Sequence, residues 1–288
     1  MKKILVPIDF SEQSENALET AAYYARTYGY EIIAMHMLEV STATIINANT
    51  TKETVLYLKL AEKRFNTFLD KEYLKDIKIT PIIKHYKIFT ELNDVSKEEK
   101  INLIIMGSKG ATGFKEFFIG STAQKVIRHS DVPVLVVKDK PMANGFKKAI
   151  FACDFSDDSI GPYRRIKRFC NFINLETKMV YINTPGKSFV SSSEMRASVK
   201  SFFEKADNNS HYIDDVHYIS DYTIEAGITN FAKNYDADLI IMTTHGRSGF
   251  SQLFDHSITE DVANHSPIPV ISFKILPEHI RKQKKQKN

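Results

Sequence analysis

The stretch INLIIMGSKGATGFKEFFIGSTAQ, residues 101–124, runs from an apolar segment into a glycine-rich loop. Residues 103–106 are all apolar, and an unbroken run of this length is typical of a strand buried on both faces of a parallel sheet. Four of the chain's 11 glycines follow within 14 residues, at Gly107, Gly110, Gly113 and Gly120. Glycine lets loop N–H groups approach a ligand closely, so the stretch predicts an α/β fold with an anion site after this strand.

The same stretch returns later in the chain, as ADLIIMTTHGRSGF from Ala237. Two further segments also recur in the same order. KKILVPIDFSEQS from Lys2 returns as KKAIFACDFSDDS from Lys147, and SDVPVLVVK from Ser130 returns as SPIPVISFK from Ser266. Three ordered matches predict two tandem copies of one domain.

Each copy alternates strand-like and helix-like patterns. In the first copy, apolar runs predict strands at residues 4–8, 32–37, 79–85, 103–106 and 132–137. Apolar residues spaced three and four apart predict the helices between them, at Ala17, Leu18, Ala21, Ala22 and Ala25, and at Val55, Leu58, Ala61, Phe65, Phe68 and Leu69. Pro7 is expected at the end of its strand, because proline cannot donate to a ladder. This alternation predicts a doubly wound parallel sheet in each copy.

Composition and charge limit the class of protein. Apolar residues are 43% of the chain and charged residues 26%, as in ordinary globular proteins. The net charge is +4, but five cations lie in the last eight residues, so the rest of the chain carries 4 − 5 = −1 and gives no electrostatic case for nucleic acid. Two cysteines, Cys153 and Cys170, and the lack of a signal-peptide or membrane-spanning pattern predict a cytoplasmic protein. The predicted domains are 1–138 and 147–276, with a linker at 139–146 and a basic tail at 277–288.

Asp9 follows the first strand and the glycine loop follows the fourth. If these strands are neighbours, both features face one crevice at the carboxyl edge of the sheet, where α/β proteins bind ligands. Ser121 and Gln124 form an S-x-x-Q pattern, which predicts a capped helix start and hence a phosphate site. The loop contains neither a Walker motif nor a dinucleotide fingerprint.

The spacing Gly107-x2-Gly110-x9-Gly120-Ser121 resembles the signature of ATP-binding universal stress proteins. Asp9, with Ser11 and Ser14, resembles the opening of that family. The resemblance implies two adenine nucleotide alpha hydrolase-like domains, each with strand order 3-2-1-4-5. It also implies a phosphate site and an adenosine site. The phosphate residues would be Gly107, Gly110, Gly120, Ser121 and Thr122, and the adenosine residues Pro7, Ile8, Asp9 and Met37. Mg²⁺ would arrive only with the phosphates, because no histidine or cysteine spacing predicts a metal site.

The second copy departs from this signature. Thr243 stands at the position of Gly107, His256 at that of Gly120 and Ser257 at that of Ser121, while Gly246 matches Gly110. Ser257 and Glu260 still form a capping pattern, and Glu260 is expected to place a negative charge near the anion site. We therefore expect the second copy to bind no nucleotide, although Asp154 matches Asp9.

Three functions remain open from the sequence. The first is a nucleotide-binding sensor or regulator of the stress response, with its site in the first copy. The second is an interaction or small-ligand module without nucleotide, and the third is a slow ATPase. No nucleophile with a base and an orienting group can be assembled from the sequence, so no catalytic residue is predicted.

The fifth strands predict an association. Residues 132–137 and 268–273 would each lie at the edge of their sheet, where unpaired backbone groups favour pairing. A linker of about eight residues raises the local concentration of one copy around the other. The sequence therefore predicts an intramolecular pseudo-dimer joined at these strands; a further homodimer is left open.

Overall fold

The computed structural model describes residues 2–38, 51–85, 88–108, 120–186, 188–209, 211–245 and 258–276. The first repeat alternates strands and helices. Its elements are β1 (Lys2–Ile8), α1 (Glu12–Tyr28), β2 (Tyr30–Leu38), α2 (Thr51–Leu69), a 3₁₀ turn (Glu72–Leu74), β3 (Ile79–His85), α3 (Ile88–Glu98), β4 (Leu103–Gly107), α4 (Ser121–His129) and β5 (Val134–Val137). The glycine loop between β4 and α4 lies outside the described residues from 109 to 119.

The second repeat has the same alternation. Its elements are β6 (Lys148–Ala152), a 3₁₀ turn (Asp157–Ser159), α5 (Ile160–Phe172), β7 (Glu176–Asn183), α6 (Ser192–Asp207), a 3₁₀ turn (His211–Asp215), β8 (Val216–Ser220), α7 (Ile224–Asn234), β9 (Leu239–His245), α8 (Ile258–His265) and β10 (Val270–Ile275). The basic tail, 277–288, lies outside the described residues.

Each repeat forms a parallel sheet in the predicted strand order. The order is β3-β2-β1-β4-β5 in the first repeat and β8-β7-β6-β9-β10 in the second. Consecutive residues of the central strands are buried: Ile4, Leu5 and Val6 are all fully inaccessible. Burial on both faces explains why these strands are unbroken apolar runs in the sequence.

The fifth strands begin two residues later than predicted. β5 starts at Val134 and β10 at Val270, because a serine turns the chain before each. The Ser130 hydroxyl contacts both the N–H (3.1 Å) and the carbonyl (2.9 Å) of Val132. Ser266 makes the same two bonds to Ile268, at 3.0 and 3.1 Å. Both backbone groups of Val132 and Ile268 are thus bonded locally, outside the strands.

β1 and β4 are paired over only part of their length. Their paired residues are Ile4 with Leu103 and Leu5 with Ile104, whereas β1 stays paired with β2 as far as Ile8. Pro7, the second-last residue of β1, lies beyond the last residue paired with β4. Its missing N–H therefore interrupts no pairing with β4, which explains how a central strand tolerates it.

The chain divides into two compact units that do not follow the repeat boundary. The second unit contains residues 127–135 of the first repeat together with the residues from 146 onward, and the first contains 136–145. Within the first unit, the predicted linker is held against α1, because the Thr20 hydroxyl accepts a hydrogen bond from the Met142 N–H at 2.9 Å.

No helix in the described part of the chain is long and apolar enough to cross a membrane.

Candidate functional site

Asp9 is fixed by the start of α1. Its Oδ1 accepts hydrogen bonds from the Ser11 N–H (3.0 Å) and the Ser11 hydroxyl (2.5 Å). Ser11 is the N-cap of α1, and its Oγ in turn accepts from the Ser14 N–H at 3.2 Å. Phe10 between them has a φ of 64°, a left-handed conformation that is uncommon for an aromatic residue. These bonds use one oxygen of Asp9 and hold the carboxylate at the carboxyl end of β1.

The second repeat contains the same device. Asp154 Oδ1 accepts from the Ser156 N–H (3.1 Å), the Ser156 hydroxyl (3.0 Å) and the Ser159 hydroxyl (2.7 Å). Phe155 also has a positive φ, of 52°. Because these hydrogen bonds are also present in the repeat that has lost the glycine signature, their first role is to shape the turn from strand to helix.

The ends of the glycine loop are tied together. The Ser108 N–H donates to the Val137 carbonyl at 3.0 Å, and the Gly120 N–H donates to the Ser108 carbonyl at 2.8 Å. The Gly120 carbonyl then accepts the first helical bond, from the Gln124 N–H at 3.2 Å. Gly120 is therefore the N-cap of α4 and Ser121 its first helical residue, so the capping pattern predicted at Ser121 is wrong by one position.

This arrangement shows which donors face the loop from α4. The Gly120 N–H is bonded to Ser108 within the protein. The N–H groups of Ser121, Thr122 and Ala123 belong to the first turn of a nine-residue helix, where they have no acceptor in the helix itself. They lie at the positive end of the helix dipole, which favours an anion.

Gly107 lies against α1. A Cβ atom at this position would be 2.7 Å from the Gln13 Cβ and 2.7 Å from the Gln13 carbonyl oxygen. Such distances are far below van der Waals contact, so only glycine allows β4 and the first turn of α1 to approach this closely. This close packing alone explains why position 107 is a glycine, without any contact to phosphate.

His36 is a residue of this region that the sequence analysis missed. Its Nδ1 lies 2.8 Å from the Ile8 carbonyl oxygen, and its ring lies 4.3 Å from that of Phe10. Since a carbonyl only accepts, Nδ1 is the donor in this contact. The single signal in the sequence is a polar residue in the apolar strand β2, one position before Met37.

The region thus combines most of the predicted site residues at one edge of the first sheet. Pro7 and Ile8 end β1, Met37 lies near the end of β2, and Asp9 follows β1 directly. Gly107 ends β4, Gly120 caps α4, and Ser121 and Thr122 are the first two residues of α4. Carboxyl ends of parallel strands share an edge, so the topology brings these residues to the same side of the sheet. Gly110 lies outside the described residues.

The corresponding part of the second repeat differs. α8 begins at Ile258, and Gly246, His256 and Ser257 lie outside the described residues. Within the second compact unit, both carboxylate oxygens of Glu260 are bound by the Arg128 guanidinium, at 2.8 and 2.9 Å. Glu260 is 7% exposed. The negative charge expected near an anion site is therefore paired with arginine, and the capping pattern with Ser257 falls outside the described residues.

The comparisons with known proteins agree with this fold. A model described as the universal stress protein family matches residues 1–138 and 146–274. The universal stress protein MJ0577 of Methanocaldococcus jannaschii is 33% identical over 155 residues, which cover 48% of this chain and 96% of that protein. A crystal structure of a universal stress protein from Archaeoglobus fulgidus covers 96% of this chain and 97% of its own, with a TM-score of 0.71 and 23% identity. Single-domain relatives therefore match one repeat, and tandem ones match both.

Another solved structure contains a ligand. It is a universal stress protein in complex with cAMP, 20% identical over 48% of this chain and 98% of its own, with a TM-score of 0.33. At that score the ligand is a property of that protein alone.

Proposed function

Because the chain belongs to the universal stress protein family and contains two such domains, we propose that its first repeat binds ATP or another adenine nucleotide and thereby acts as a stress-response sensor or regulator. The observation that carries this proposal is the start of α4. Its first N–H groups follow a loop closed by the Gly120–Ser108 hydrogen bond, at the edge of the sheet that Asp9 also occupies.

In this proposal the predicted residues have different parts. Ser121 and Thr122 supply backbone N–H groups and hydroxyls to the phosphates, at the positive end of the helix. Gly107 and Gly120 shape the loop, Gly107 by its contact with Gln13 and Gly120 by its bond to Ser108. Asp9, with Pro7, Ile8 and Met37, holds the adenosine part, and Mg²⁺ enters with the phosphates.

Isothermal titration with ATP, ADP and AMP tests this proposal. We expect one nucleotide per chain, and Gly120→His, which copies the second repeat, is expected to abolish binding while leaving the circular dichroism spectrum unchanged. Absence of binding at millimolar nucleotide would contradict the proposal.

A matched pair of variants tests the carboxylate. Asp9→Asn and Asp154→Asn both keep an oxygen that can accept from the following serine, so neither turn should be lost. We expect Asp9→Asn to weaken ATP binding by at least about tenfold, the usual value of a charge-assisted hydrogen bond. Asp154→Asn should leave it unchanged. Equal losses in the two variants would indicate that the carboxylate acts only through the fold.

We also propose that the two repeats pair through their fifth strands, β5 and β10. Each is the last strand in its own sheet order, and its main-chain groups need partners. Cutting the chain within residues 139–146 tests this: the two fragments should remain associated in gel filtration without denaturant. Fragments that separate as soluble monomers would contradict it.

A further inference from the structure

A cleft opens beside α2 on the first compact unit. It has a volume of about 620 Å³ and is lined by Phe10, Leu60, Lys63, Arg64, Thr67, Phe68 and Lys71. We call it the Phe10 cleft. Its size falls in the usual range for pockets that bind small molecules.

The apolar part of the Phe10 cleft is built by the left-handed conformation of Phe10. With a φ of 64°, this residue places its ring against α2, 5.4 Å from the Phe68 ring and 6.1 Å from that of Phe65. Leu60, about two turns before Phe68 and also lining the cleft, is 55% exposed. Two aromatic rings and an exposed leucine give the cleft a floor that favours an apolar ligand body.

The polar part of the cleft is cationic. Three of its seven lining residues are Lys63, Arg64 and Lys71, and none is acidic. The Arg64 guanidinium lies over the Phe10 ring, 4.3 Å from its centroid, which holds the charge at the apolar floor. Lys71 is paired with Glu15 at 2.6 Å, whereas no ion pair joins Lys63 or Arg64 to an acidic group among the described residues, so the excess positive charge there comes from these two side chains.

The second repeat fills the corresponding space. Phe155, the counterpart of Phe10, is only 2% exposed. In the first repeat the Arg64 guanidinium covers the Phe10 ring. In the second repeat the Phe202 ring contacts the Phe155 ring instead, at a centroid distance of 5.3 Å, and the Phe203 ring lies 6.0 Å from it. The same turn therefore supports a closed aromatic core in one repeat and an open cationic cleft in the other. Packing of the fold does not require the cleft.

We propose that the Phe10 cleft binds a small amphipathic anion, with a flat aromatic body on Phe10, Phe68 and Leu60 and a carboxylate or sulfonate on Lys63 and Arg64. A ligand of this class would cover the exposed apolar surface of the cleft and pair with its cations at the same time. This site is separate from the nucleotide site proposed above and does not rest on it.

Fluorescence titration with 1-anilinonaphthalene-8-sulfonate tests the proposal, with the uncharged N-phenyl-1-naphthylamine as the matched probe. We expect saturable binding of one sulfonate probe per chain. Arg64→Gln and Lys63→Gln should each weaken it by about threefold to fivefold, the value of one ion pair between solvent-exposed groups. The uncharged probe should bind both variants as it binds the parent protein. Lys59→Gln, which removes an exposed cation of α2 that does not line the cleft, is the control and should change binding less than twofold.

Three results would overturn the proposal: no saturable binding of the sulfonate probe, equal affinities in Arg64→Gln and the parent, or an equal loss in Lys59→Gln. Titration of ATP into the probe complex separates the two sites. If ATP displaces the probe competitively, the cleft belongs to the nucleotide site and the proposal of a separate site is wrong. If the protein binds no ATP but binds the probe with the expected charge dependence, the nucleotide proposal fails and this one stands.

Discussion

Replacing Gly107 with alanine distinguishes a packing role from a phosphate role. A Cβ at this position would lie 2.7 Å from the Gln13 Cβ, whereas carbon atoms in contact are about 3.5–4.0 Å apart. The first turn of α1 must therefore move away by roughly 1 Å, an overpacking that typically costs about 1–3 kcal/mol. Alanine also restricts the unfolded chain, which returns about 0.4–1 kcal/mol. Taking the middle of each range, we expect Gly107→Ala to lower the free energy of unfolding by about 1.3 kcal/mol.

Urea unfolding of nucleotide-free protein, followed by far-ultraviolet circular dichroism, measures this difference. Thr243→Ala is the control, since it places alanine at the same strand position in the second repeat, where a Cβ is already present. That variant should change stability by less than about 1 kcal/mol. If Gly107→Ala leaves the stability of the nucleotide-free protein unchanged and weakens only ATP binding, the packing argument is refuted.

The remaining predictions concern single contacts. Arg128→Met and Glu260→Gln should each destabilise the protein, and the double variant should lose less than their sum. The expected coupling is about 1–2 kcal/mol, reduced from the value of a buried pair because the Arg128 side chain is 42% exposed. Additive losses in urea unfolding would show that the pair is not coupled. Burial of His217, with Lys178 nearby, lowers the pKa of His217, so the unfolded chain binds its proton more strongly. Stability should therefore be greatest above pH ~6.5 and fall as the pH decreases through this value, by at most ~1.4 kcal/mol per pH unit. His217→Phe should remove that part of the decline between pH 7 and pH 5, and parallel curves for parent and variant would contradict this.

The sequence predicts the strands well because their signal is local. Residues 103–106 are an apolar run that forms nearly all of β4, and all four are buried. Residues 79–85 form β3 as predicted, although Thr80 and Pro81 in this strand are exposed. The start of α4 is predicted to within one residue, because Gly120 and Ser121 can each begin a helix and only the bond from Gln124 decides between them. β5 starts late because the Ser130 hydroxyl hydrogen-bonds the backbone of Val132, two residues further along the chain.

The roles of individual site residues are harder to predict, because they depend on contacts that are distant in the chain. Gly107 matches a ligand signature, yet its close neighbour is Gln13, 94 positions earlier. Glu260 fits a capping pattern three residues after Ser257, yet its partner is Arg128, 132 positions away. The spacing along the sequence draws attention to Gly107 and Glu260. It does not reveal the atoms that they contact.

Comparison of the two repeats separates the requirements of the fold from those of a ligand. The turn at Asp9 and Phe10 is repeated at Asp154 and Phe155, so its hydrogen bonds and its positive φ are needed in both. What surrounds the turn is not repeated: the first copy has Gly107 beside α1 and Arg64 over Phe10, and the second has Thr243 and Phe202. A ligand role is therefore best sought in these differences. Both ligand sites proposed for this chain therefore lie around the first copy of the turn, whereas Phe155 in the second copy is packed into an aromatic core.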